Sequence, residues 1–165
     1  MMRLSVLPLS AKTLITCLLF ALSVGYFVSL LQIGNRTDFN QQKTVRHFRG
    51  VEGDSELYPP QSTATLISVA HVHSFSQPVV IALVSLLFLF TGISEGKKVF
   101  WILVAFIGSL AGICTPWLIR DVSPYSVFGL YLSGIALLGS FCVMATRVLY
   151  ETWRSPSLPP NNAKS

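Results

Sequence analysis

Three histidines are the residues of this chain best equipped for chemistry, and two of them, His71 and His73, stand at the head of an apolar run. An imidazole can ligate a transition metal, act as an axial ligand to haem, or change charge near neutral pH. At membrane depth an ionisable side chain is costly enough that function is its default reading. Spacing narrows that function. In a regular helix, residues two apart point about 200° apart, so His71 and His73 could not chelate one ion there. In an extended segment they share a face, and the rings can converge. A metal site on the pair therefore calls for an unwound start to the run, for which Ser74, Ser76, Gln77 and Pro78 are suitable residues. Haem calls for ligation by a single histidine of the pair, for His47 folding back, or for a second protomer supplying its own histidine. The competing reading is structural, with one ring donating to a backbone carbonyl or to Asp121 and the other facing headgroups.

Other candidates are weaker. Cys17, Cys114 and Cys142 all lie in apolar segments, where a thiol behaves as a small hydrophobe, and they imply no disulfide framework. Arg120 with Asp121 reads as a helix-end pair at the water boundary. No nucleophile and base arrangement, phosphate loop or paired-cysteine zinc motif occurs, so no catalytic residue is assigned and an enzyme is not expected.

The elements that must carry the histidines follow from composition. With 52% hydrophobic and 12% charged residues in 165, and a mean hydropathy of +0.60, the chain lacks the polar surface of a soluble domain. It reads as a small integral membrane protein in contact with the lipid bilayer. Its net charge of +5 does not indicate nucleic acid, because the twelve Lys and Arg are scattered at segment ends instead of forming a stripe.

Four apolar runs are long enough to span a bilayer, at about 20 residues each. A head, 1–13, precedes the first, 14–33, which has no charge and reads as an uncleaved signal anchor. Residues 34–62 form a long polar loop outside the bilayer, either flexible or holding a short amphipathic piece through Val45, Phe48, Val51 and Leu57. The second span, 66–92, contains the histidine pair, and Pro78 predicts a kink within it. A tight turn at Ser94–Lys98 leads to the third, 99–119, where Gly108 and Gly112 set a small-xxx-small spacing. The fourth, 125–147, also carries small residues, and an interfacial exit closes the 14–154 transmembrane domain. A disordered tail is expected over 155–165. The fold class is an all-α, antiparallel four-helix membrane bundle.

Four crossings put both termini and the Glu95–Lys98 turn on one side, the terminal side. The long loop and Arg120-Asp121 fall on the other, the loop side. Seven Lys and Arg on the terminal side against five on the loop side favour cytoplasmic termini.

The order Arg46-His-Phe-Arg-Gly50, then acidic residues, Tyr58-Pro59, and Ala70-His-Val-His-Ser-Phe75 before an apolar segment resembles a group of uncharacterised small bacterial four-helix membrane proteins. That group has a His-x-His at the start of its second helix. The resemblance implies a bacterial inner (plasma) membrane, but no activity. Two functions compete: an accessory of a respiratory or metal-handling system using His71 and His73 for haem or a metal, and a cofactor-free structural or assembly subunit. The second would dock other membrane subunits, or itself, through small-residue helix faces and the long loop.

Overall fold

The computed structural model describes residues 4–51 and 59–154; the expected tail, Leu57 and the first three residues lie outside the described residues. The protein is an all-α bundle of five helices, with no strand among the described residues: α1 (Leu9–Thr37), α2 (Gln41–Arg49), α3 (Thr63–Leu89), α4 (Glu95–Asp121) and α5 (Val127–Trp153). Single-turn 3₁₀ segments at Leu4–Val6 and Pro124–Ser126 lead into α1 and α5. All but α2 are long and apolar enough to cross a membrane. Most helices outrun their apolar runs by a turn, since polar residues at a membrane interface satisfy the end groups of a helix as readily as water does. Ser62 accepts from the Thr65 amide at the start of α3, for example.

The loop-side connection is more ordered than a solvated linker. α1 ends at Asp38 and Phe39, both in the left-handed region with φ of 49° and 53°. The Asp38 amide closes onto Gly34 O at 2.7 Å. Phe39 folds back over Gly34, where a Cβ would come within 2.9 Å of the ring, so a larger residue would have to push that exposed ring aside. Asn40 then caps α2 by accepting from the amides of Gln42 and Lys43. α2 packs on the bundle through buried Thr44. The Thr44 hydroxyl donates to Asn40 O, both contacts at 2.9 Å, leaving the Tyr131 hydroxyl of α5 to donate to Thr44.

The apolar core is lopsided. Ile15 and Leu19 of α1, Ile81, Val84 and Phe88 of α3, Ala105 of α4, and Phe141, Met144, Ala145 and Val148 of α5 form one cluster, capped by Leu4. All of these lie in the terminal-side half of the bundle. α4 and α5 stay in contact along their length because Gly108 lies against Ala136 and Ser133, and Gly112 against Ser133. Gly108 and Gly112 are thus taken up by the contact between α4 and α5, whereas Gly134 and Gly139 have nothing within 4 Å of a Cβ position. On the loop side, α1 and α3 stand clear of the core: from 67 to 76 on α3, only Ala70 is even half buried. The three cysteines are exposed on the lipid-facing outside of the helices and are not packed in the interior.

The α3–α4 turn is sealed by two charged side chains, buried Lys98 and half-buried Glu151. Lys98, whose side chain is 3% exposed, donates to Leu89 O at the end of α3 and to Glu95, both at 2.8 Å. A cation on a helix C-terminus satisfies orphan carbonyls and complements the dipole. Glu151 of α5 accepts from the Gly92 amide at 2.7 Å.

Candidate functional site

α3 is helical from Thr63 and runs unbroken through Pro78. The unwound start that a shared ion would need is therefore missing, and His71 and His73 project from opposite flanks of one helix. Serine does not break it because Ser74 and Ser76 turn their hydroxyls back onto Ala70 O and Val72 O, at 2.7 and 2.8 Å. Both imidazoles are exposed. His71 meets Phe75 edge to face, with centroids 5.1 Å apart. His73 Nδ1 lies 3.4 Å from Gln77 Nε2, while Gln77 Oε1 accepts from Ser109 of α4 at 2.7 Å. At a 1.5 Å rise, His71 sits about 12 Å and Gln77 about 21 Å along α3 from Thr63, so this short polar chain enters the hydrocarbon and ends near mid-bilayer.

His47 belongs to a different place. Its Nε2 accepts from Gln61 Nε2 at 2.7 Å, and the Gln61 amide donates to Phe48 O at 3.1 Å. Arg120 completes the loop-side face: it pairs with Asp121 at 2.7 Å, donates to Gln61 O and Thr63 Oγ1 at 3.1 Å, and stacks on Trp117. This face latches α2 and the α3 entrance to the end of α4. It does not bring His47 to the α3 pair. Among the described residues, no three His, Cys, Asp or Glu side chains converge as a metal-binding group. The void in the core, lined by Tyr26, Ile81, Val84, Phe141 and Met144, is about 10 Å³, far too small to bury a haem.

Burial, and then the charge of Arg36, hold the His47 imidazole below its ordinary pKa. The folded protein therefore keeps this ring neutral at pH values where the unfolded chain protonates it. Stability is complete above the unfolded value near 6.5 and is lost as pH falls below it, through the lower folded value. Amides of α2 are expected to exchange faster at pH 5 than at pH 7.5 once intrinsic rates are corrected for, and His47→Gln should flatten that difference.

A family model described as a transmembrane helical domain, Aq_1264_TM, matches residues 38–159. The chain belongs to this family. The match takes in α2 to α5 and begins where α1 ends, and α1 is also the span least buried in the bundle. The matched stretch here thus holds three helices long and apolar enough to span a membrane, with the short helix α2 in front of them. No curated protein and no solved structure matches the chain.

The sequence reading missed Lys98 as a buried cap, taking Lys97 and Lys98 together as orientation charges. It also missed the coupling of Gln77 to Ser109, which depends on the register between α3 and α4.

Proposed function

We propose that this chain is a non-enzymatic subunit of a bacterial inner-membrane assembly, with cytoplasmic termini, that docks α3 against a transmembrane helix of another protein. The observation that carries this reading is the nearly bare stretch 67–76, with two imidazoles at membrane depth. A polar ring facing acyl chains loses its hydrogen bonds to water without replacement, at a cost of about 1–3 kcal/mol on protein scales. A neighbouring helix that offers a hydroxyl, amide or carboxyl group at that depth removes the cost, and interhelical hydrogen bonds of this kind recur in membranes. A photo-crosslinking amino acid at Phe75 should form one discrete adduct in native membranes, and the same probe at exposed Leu103 of α4 should not. His71→Gln with His73→Gln should weaken the Phe75 adduct severalfold. Equal adducts at both positions would defeat the reading, and an adduct at twice the chain's own mass would make the partner a second copy.

A second reading is favoured by the open ring of His71, which has an aromatic neighbour but no hydrogen bond. On this reading one imidazole supplies a single ligand to haem or a transition metal held between this chain and its partner, as in an accessory of a respiratory or metal-handling system. The donor set of one chain does not complete such a site. An absorption spectrum and elemental analysis of the protein purified in mild detergent, beside the His71→Gln/His73→Gln variant, test it. A Soret band or near-stoichiometric metal that vanishes in the variant supports ligation; a colourless, metal-free protein after haem and metal supplementation refutes it.

A further inference from the structure

The last two turns of α5 gather cations around aromatic rings at the terminal side of the bundle. Arg147, Tyr150 and Arg154, spaced i, i+3 and i+7, fall along one face. The Arg147 guanidinium lies 5.5 Å and that of Arg154 6.0 Å from the centroid of the same Tyr150 ring. Tyr150 is 53% exposed, so both guanidiniums gather on a ring at the surface of the bundle. Beside it, Trp153 Nε1 donates to Thr16 Oγ1 at 3.0 Å, tying α1 to α5, and Lys12 sits 5.9 Å over the Trp153 ring.

Few carboxylates compensate these charges. Glu151 lies 3.0 Å from Arg147 Nε, and its other oxygen is committed to the Gly92 amide. Among the described residues, neither Lys12 nor Arg154 has a carboxylate partner. Among the described residues each side holds two ion pairs, Lys98–Glu95 and Arg147–Glu151 here, Lys43–Asp38 and Arg120–Asp121 on the loop side, but the loop-side sequence between 51 and 59 adds Glu52, Asp54 and Glu56. One turn deeper than Arg147, Val143 is exposed and offers an apolar track for an acyl chain.

We propose that Arg147, Tyr150 and Arg154, with Lys12 over the ring of Trp153 on the same turn as a further positive charge, form a site for the phosphate of an anionic phospholipid. Guanidinium and phenol groups donate to the phosphate oxygens, an arrangement that suits a fixed fork of N–H donors better than a diffuse charge. The neutral headgroup of phosphatidylcholine would bring its own cation into this cluster and is disfavoured.

The test compares retention of phosphatidylglycerol and phosphatidylcholine by the full chain in detergent, read by native mass spectrometry. Lys12→Gln with Arg154→Gln breaks no ion pair and should fold as the native chain does. Arg36→Gln with Arg49→Gln removes the same charge from the loop side. The native chain should prefer phosphatidylglycerol, the first variant should lose about tenfold to thirtyfold of that preference, and the second should keep it. Equal retention of the two lipids by the native chain, or equal losses in the two variants, overturns the site. Millimolar inorganic phosphate should not displace the lipid; if it does, free phosphate is the ligand and the lipid assignment fails.

Discussion

Gly108→Leu should destabilise the bundle by about 1–3 kcal/mol or more, because overpacking a tight contact forces backbones apart. Even a Cβ at this position would meet the Ala136 Cβ and Ser133 O at 3.2 Å and Leu137 N at 3.3 Å, two of them backbone atoms that cannot rotate away. In a membrane there is little hydrophobic force to compensate, since lipid tails are as apolar as leucine and helix association rests on close packing. Gly134→Leu on the facing helix α5 provides the contrast, as nothing lies within 4 Å of its Cβ position. It should stay within about 0.5 kcal/mol of the native chain. Thermal unfolding in one detergent, read by circular dichroism, separates the two; similar melting of both variants would mean that the α4–α5 contact is not the close one described.

Phe88→Ala is the second large effect. Phe88 is 0% exposed and sits in the terminal-side core, whereas Phe75 is 68% exposed on the same helix. Truncating a buried Phe in a water-soluble protein costs about 3–5 kcal/mol, part of which is transfer from water. That part shrinks when the unfolded reference also lies in lipid. The cavity remains, and about 100 Å³ at about 24 cal/mol per Å³ leaves about 2–3 kcal/mol. Phe75→Ala opens no cavity and should cost under about 0.5 kcal/mol. If Phe75→Ala destabilises the purified chain as much as Phe88→Ala does, the stretch around the histidines is packed against its own bundle and is not available to a partner.

The four spans were legible because a run such as 14–33 without a charge can only be satisfied by a bilayer. Helix ends were less legible: Thr13, Lys12 and Thr37 are polar, yet they continue α1 because their hydroxyl or ammonium groups lie at an interface that tolerates them. α2 was legible only as an option, since Val45 and Phe48 give one weak turn of periodicity while Thr44, a polar residue, makes the buried contact. The histidine pair shows where spacing stops being informative. The i, i+2 arrangement permits convergence in an extended chain and forbids it in a helix. The segment is helical, and Ser74 and Ser76 are accommodated in it by bonding back to Ala70 O and Val72 O, a local arrangement that composition does not rank. The Arg147, Tyr150 and Arg154 spacing, by contrast, could have been read from the sequence as one helical face.

The sealed turn between α3 and α4 bears on the order in which the protein is made. Ribosomes deliver α3 and α4 before α5, and the Lys98 contact lies wholly within that hairpin, so the pair can enter the bilayer as a self-capped unit. The Gly92 amide must then rely on water until Glu151 arrives with the last turns of α5. The last turn of α5 thus completes a joint begun some sixty residues earlier, and a nascent chain halted before Glu151 would hold a hairpin that is inserted but not yet locked.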